Sequence, residues 1–170
     1  MDFFEIVSKR YSHRGAFTSA PVPKEDVLKI VTAAMQAPSG CNAQTTFFTV
    51  VTDPKLIAAL GEIITADAVR TAPVVVVVST VKETFNFGLD FELEDYGAAV
   101  ENILLGATAL GYASCWFDGT SRLNGNDEKI RALLGVPVGQ QVRTLLPIGV
   151  PQQVGAQAPR KALEDRVRFL

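Results

Sequence analysis

Five consecutive valines, Val74 to Val78, constrain this chain more than any other feature. β-Branched side chains favour extended backbone, and a strand without polar alternation has no face to offer water. The stretch Val74–Thr80 therefore reads as a central strand buried on both faces. Such a strand needs covering elements, and the flanking sequence provides them. Asp2 to Lys9 predicts a short helix with Phe3, Phe4, Ile6 and Val7 on its apolar side. Pro23 suits a first helical position, and Val27, Leu28, Ile30, Val31 and Ala34 follow at helical spacing until Pro38 stops the helix near Gln36. Phe47 to Thr52 predicts a strand. Asp53-Pro54 is an N-cap followed by proline, opening a helix to about Leu60. Glu94 to Leu110 is the longest helical stretch, apolar around most of its circumference and therefore buried. Its Gly97, Ala98, Ala99, Gly106 and Ala107 permit close approach of another helix. Ala113–Phe117 and Arg143–Val150 predict two more strands, separated by a helix capped at Asn126 or Asp127 and ended by Gly135. A fifth strand is available in Arg166–Leu170, on a partner's sheet.

Helices and strands interleave, so the class is α and β mixed around one sheet, with residues 1–170 as a single domain. Apolar residues make up 48% and charged residues 20%, an ordinary globular balance. Sixteen basic against eighteen acidic residues leave a net charge of −2, which argues against a general nucleic-acid binder. Two distant cysteines, Cys41 and Cys115, exclude a disulfide scaffold, and a single histidine, His13, excludes a His-rich zinc site. No metal is expected. The opening MDFFEIVSKR lacks an apolar signal region, and Pro73–Val81 falls far short of the roughly 18 residues of a membrane span. The expectation is a soluble, cytoplasmic protein with no membrane partner.

The familiar phosphate and nucleophile motifs are missing. There is no G-x-G-x-x-G, no G-x-x-x-x-G-K-[ST] and no G-x-S-x-G. Polar chemistry concentrates elsewhere. In an extended Arg10-Tyr11-Ser12-His13-Arg14, alternation sends Arg10, Ser12 and Arg14 one way and Tyr11 and His13 the other. Two guanidinium groups beside a hydroxyl suit a phosphate, but taken alone the segment reads more readily as a solvated basic turn after a helix. Pro38-Ser39-Gly40-Cys41-Asn42-Ala43-Gln44 joins a helix to a strand. Its carboxamides could read the edge of a heterocycle or simply satisfy their own loop. Cys41 reads as a small filler. Asp118-Gly119 closes a strand, either presenting free backbone N–H groups or making a plain turn. Phe85, Phe87 and Phe91 either roof an apolar pocket or pack into a core. Arg160-Lys161 alone is a charged tail.

Taken in order, these segments resemble the nitroreductase family of FMN-dependent flavoproteins. Arg10, Ser12 and Arg14 match its basic-x-Ser-x-basic element, and Pro21-Val22-Pro23 its Val-Pro before the second helix. Pro38, Ser39, Asn42 and Gln44 match its Pro-Ser-x-x-Asn-x-Gln stretch. The helix running Asp95-Tyr96-Gly97-Ala98-Ala99-Val100-Glu101-Asn102, then Leu110-Gly111 and a strand with Trp116, follows the same order. Leu146-Pro147-Ile148-Gly149-Val150-Pro151 and Arg160-Lys161 close the match. Tyr11 departs from the family, which often has a basic residue there, and the segment Val81–Leu93 is brief.

The resemblance implies an α+β fold with a mixed, mainly antiparallel sheet flanked by helices, in an intertwined homodimer with FMN at the interface. It assigns Arg10 and Ser12, helped by Arg160 and Lys161, to the phosphate end, Arg14 to the N1/O2 edge of the flavin, and Tyr11 to the cofactor site at large. Pro38, Ser39, Gly40, Asn42 and Gln44 would come from the other subunit. Asp118 and Gly119 would lie near N5, mainly through backbone groups. Phe85 and Phe87 would line the substrate pocket. The implied activity is hydride transfer from NAD(P)H, through flavin N5, to small conjugated acceptors such as nitroaromatics, quinones or enones, in ping-pong fashion. No protein nucleophile is required. Two other readings use the same cofactor: a redox-sensing flavin module with little turnover, and other flavin chemistry such as reductive dehalogenation or flavin breakdown.

Overall fold

The valine strand sits where the sequence puts it, between two layers of helix. The computed structural model describes all 170 residues. Its elements are α1 (Phe3–Lys9), α2 (Lys24–Met35), β1 (Thr46–Val51), α3 (Pro54–Ile64), α4 (Asp67–Thr71) and β2 (Val74–Thr80). They continue with α5 (Glu92–Ala109), β3 (Ala113–Ser114), α6 (Gly119–Arg122), α7 (Asn126–Leu134) and β4 (Gln141–Gly149). The four strands form one antiparallel sheet in the order β1-β2-β4-β3. This is an α+β fold.

Alternation along β2 divides the core. Val75 and Val77 face α3, α4 and α7, packing with Leu60, Val69 and Ile130. Val74, Val76 and Val78 face α2 and α5, packing with Ile30, Val100 and Ile103. All five valines are buried. Each buried side chain is worth about 1.5–3 kcal/mol, which outweighs the roughly 1–2 kcal/mol per residue lost in ordering the backbone. Small residues bring the α2/α5 pair together, with Gly106 against the backbone of Ile30. Asn102 Nδ2 donates across the pair to the Ala33 carbonyl at 2.9 Å.

Local signals fix the element ends. Asp2 caps α1, accepting from the Glu5 amide at 2.9 Å, while Glu5 returns a bond to the Asp2 amide. Asp53 caps α3 through the Lys55 amide at 2.8 Å. Gly135, at φ 65°, closes α7 in the left-handed region.

Several expectations need correction. Pro23 is the cap of α2 rather than its first residue. The helix after Asp53 runs on to Ile64, because its apolar stripe continues through Ile64. The helices α4 and α6 were too short to leave a periodic pattern. The strand expected over Ala113–Phe117 is regular only at Ala113–Ser114, with Phe117 making an isolated bridge to Leu145. Arg166–Leu170 forms no strand on this chain's sheet, and its side chains are exposed. No helix is long and apolar enough to cross a membrane.

Candidate functional site

The basic segment after α1 is held by backbone pairing. Ser12 makes a parallel bridge with Ser114 of β3, and the His13 amide donates to the Ser114 carbonyl at 2.9 Å. Pairing forces the segment to be extended, and alternation does the rest. His13 is buried against Phe17, ring centroids 4.7 Å apart, with Nε2 3.2 Å from the Ala16 carbonyl. It is a packed core histidine. Ser12 and Arg14 face outward, and Arg10 is half-buried.

These outward groups share a cavity of about 290 Å³ with the returning tail. Arg10, Tyr11, Ser12, Arg14, Gln157 and Arg160 all line it. The tail is laid down by Gln157 Nε2, which donates to the carbonyls of Val7 and Arg10, each at 3.1 Å. Gly155 allows its backbone to lie on the Tyr11 ring, since a Cβ there would stand 2.6 Å from Tyr11 Cε2. Three guanidinium groups converge, and the nearest carboxylate is Glu101, 3.5 Å from Arg10 Nε. A hydroxyl and three forked cations are the donor set a phosphate requires. Beneath them burial pushes the Cys115 thiol up, against the opposing pull of Arg14, Ser12 and Arg10. Lys161, grouped with Arg160 by sequence, does not line the cavity.

The carboxamide loop is built differently. Cys41, Asn42 and Gln44 all take left-handed φ values, 52°, 57° and 52°. Such backbone persists only where its surroundings over-determine it. Asp95, buried in the first turn of α5, accepts from the Gly40 amide at 2.7 Å and from Thr45 Oγ1 at 2.8 Å. Ser39 Oγ accepts from the Gln44 amide at 3.1 Å. Gly40 must be glycine here, because a Cβ would run into the ring of Phe91. A second cavity of about 300 Å³ opens beside the loop, lined by Pro38, Ser39, Gln44 and Thr46 among others. The hydroxyl of Thr46 is buried without a partner. Cys41 is not a filler: the left-handed turn lifts it out of the core and it is exposed. Asn42 is exposed beside it and lines neither cavity.

The aromatic residues collect above this loop. Phe85 and Phe87 stack with centroids 5.5 Å apart and planes 7° apart, and Phe91 lies 5.9 Å from Phe85. Phe87 is 61% exposed, too open for a core residue. At the other edge, the side chain of Asp118 accepts from Tyr96 Oη at 2.7 Å and pairs with Arg122. Burial and the Asp118 bond push the Tyr96 hydroxyl up to about 12. The amide of Gly119 donates to no group of the chain. Gly119 is exposed, whereas the indole N–H of Trp116 is buried and unpartnered.

The resemblance grouped Arg10, Ser12, Arg14 and Arg160 at one cofactor, and the structure brings them to one cavity; the contact of Gly40 with Phe91 had no signal in the sequence. Within one chain the two cavities share no lining residue. Sequence reasoning missed Asp95 as the loop's anchor. An acidic residue in a helix's first turn is ordinary, and nothing local shows that it reaches back 55 positions to Gly40.

Known proteins resemble this chain throughout its length. The pattern defining the nitroreductase family matches residues 7–68 and 62–150. A protein of Archaeoglobus fulgidus, provisionally named NADH dehydrogenase/NAD(P)H nitroreductase, is 31% identical over 87% of this chain and 86% of its own. Iodotyrosine deiodinase 1 of Rattus norvegicus is 29% identical over 96% of this chain and 68% of its own. Among solved structures, an FMN-dependent nitroreductase of Clostridium difficile superposes with a TM-score of 0.84 at 28% identity, over 98% of both chains.

Proposed function

The chain belongs to the nitroreductase family, and from that premise we propose that it is an NAD(P)H-dependent oxidoreductase working with FMN on small conjugated acceptors such as nitroaromatics, quinones and enones. One observation carries the reading: the cavity where Arg10, Ser12, Arg14 and Arg160 converge with a single carboxylate nearby. Its donor set suits the phosphate of FMN, and the unpartnered amide of Gly119 suits a ring acceptor atom. When bound, FMN supplies the two-electron chemistry between nicotinamide and acceptor.

The chain's own residues bind and orient. Arg10, Ser12 and Arg160 would hold the phosphate by charge-assisted bonds. Arg14, outward beside them, would place a cation where it could offset negative charge on the bound flavin. Gly119 offers its N–H, and the carboxylate of Asp118, held by Tyr96 and Arg122, fixes where that amide points. Phe85 and Phe87 give a planar acceptor an apolar wall to lie against.

The loop Pro38, Ser39, Gly40, Asn42 and Gln44 would serve the FMN of a second subunit. Three features support a homodimer: the two half-sites lie apart within one chain, α1 exposes Phe3 and Phe4, and the tail exposes Leu163 and Phe169. Apolar side chains of that size in one chain's surface call for a partner.

The relation to iodotyrosine deiodinase favours a second reading, reductive dehalogenation of an aromatic.

The deciding experiment is an anaerobic absorbance spectrum of the FMN-loaded protein before and after NADH or NADPH. A bound-flavin band that bleaches is the expected result. Bound flavin that stays oxidised with both nucleotides would replace the enzyme with a sensor or another donor. Absence of bound flavin would end the proposal.

A further inference from the structure

Between β2 and α5 the chain makes a short excursion, Val81 to Phe91, that carries the aromatic residues. Both ends of it are fastened to one side chain. Thr80 is the last residue of β2 and Glu92 the first of α5. Arg143 of β4 donates from Nε to Thr80 Oγ1 at 2.9 Å and pairs through Nη2 with Glu92 Oε1. Thr80 Oγ1 donates in turn to Glu92 Oε2 at 3.3 Å. The three residues are 7%, 0% and 7% exposed, in the order Arg143, Thr80, Glu92.

A buried ion pair is a poor way to gain stability, because desolvation cancels much of the attraction. Its value lies in direction: a guanidinium fork accepts its partners in one plane only. Here the fork ties the exit of a strand to the entry of a helix. Further rungs continue the closure outward. Lys82 pairs with Asp90 at 3.2 Å, and the Phe85 amide donates to the Leu89 carbonyl at 2.9 Å. At the base, next to Glu92, Phe91 lies on Gly40, whose amide is held by Asp95 one turn further along α5. The aromatic wall and the Gly40 loop are therefore both referenced to the first turn of α5.

We propose that Arg143, Glu92 and Thr80 are positioning residues that hold segment 81–91 in place over the Gly40 loop and so set the wall the acceptor meets. The functional half of this inference rests on the proposed activity; the fastening of the segment does not. None of the three touches either cavity. They act through the segment they hold.

The test uses full-length, FMN-loaded protein and two readouts: amide hydrogen exchange, and steady-state kinetics with nitrobenzene as a neutral acceptor. Thr80→Val deletes only the central hydroxyl and keeps a β-branched side chain in the strand. Exchange at Phe85 and Gly88, whose amides are the ones in 82–91 that donate within the chain, should rise roughly tenfold, with β4 and the body of α5 unchanged. The KM for nitrobenzene should rise several-fold, with kcat and FMN affinity little altered. Thr80→Ser, which keeps the hydroxyl, should restore both. If Thr80→Val fails to fold, Glu92→Leu combined with Arg143→Met replaces the pair by apolar side chains and should show the same local loosening. Unchanged exchange at Phe85 and Gly88 overturns the inference. So does loosening spread equally through β4 and α5, which would mark a merely structural role. An unmoved KM in an active enzyme overturns it as well. A wild-type protein that binds FMN without turning over removes the proposed activity, and the exchange pattern then upholds or overturns the fastening by itself.

Discussion

The two halves of the candidate site are held in opposite ways. The basic segment at Arg10–Arg14 is fixed by main-chain pairing with Ser114, which any residue could supply. The loop at Pro38–Gln44 is fixed by side chains, chiefly one carboxylate, against three left-handed residues. Backbone pairing spreads its strength over the chain and frees side chains to meet a ligand. Side-chain pinning concentrates dependence on one position, Asp95, which also lines the cavity beside the loop. The loop half can therefore be disabled from a distance, by removing its support, as well as by removing a contact.

The largest effect should come from Asp95→Ala. It strips one buried and one part-buried hydrogen bond from a charged acceptor, lowering stability by about 3 kcal/mol. Urea unfolding measures this; a loss under about 1 kcal/mol would mean the loop holds itself. Arg10→Ala comes next and acts on the other half. It should weaken FMN binding by about 1.5–3 kcal/mol while leaving the unfolding midpoint nearly unchanged. Fluorescence titration of FMN separates the two, and unchanged affinity would remove the phosphate assignment.

Tyr96→Phe is smaller and depends on pH. The folded state raises the Tyr96 hydroxyl from its usual 10.0 to about 12. The protein thus holds this proton longer when folded, so the Asp118 bond contributes fully below pH 10 and its contribution is lost as pH climbs to about 12. Loss of the hydroxyl should cost about 1–1.5 kcal/mol below that window and flatten the decline within it. A decline identical to wild type would show that Tyr96 does not set it. The smallest effect belongs to Lys161→Ala, which should leave FMN affinity within about 0.5 kcal/mol because the side chain lies outside the cavity. A loss matching that of Arg160→Ala would join Lys161 to the phosphate site.

How much of this was legible depends on whether the signal was local. The valine run announced a two-faced central strand because five β-branched residues leave no alternative. Alternation separated outward Ser12 and Arg14 from buried His13, since extended backbone imposes a period of two, but it did not separate Tyr11 from Arg10, because both are half-buried and line the same cavity. Asp53-Pro54 and Gly135 marked helix ends through their own dihedral preferences. By contrast, α4 and α6 are too short for periodicity. Cys41 was misread because its exposure follows from a left-handed turn that Asp95 enforces from a distant helix. The grouping of Arg143 with Thr80 and Glu92 crosses 63 and 51 positions, and only the closed sheet brings them together.

The central strand also has a history before it is central. One edge of β2 pairs with β1, a neighbour in sequence, but the other waits for β4. Sixty residues separate Thr80 from Gln141. At about 5–20 residues per second, ribosomal synthesis takes roughly 3 to 12 seconds to cover that distance. Throughout that interval the nascent chain carries a run of five valines with one open edge, the composition that most readily templates intermolecular β-structure. The stretch that makes the finished protein rigid is, for those seconds, its most dangerous surface. Yield in the cell should depend on how quickly the last strand arrives to cover it.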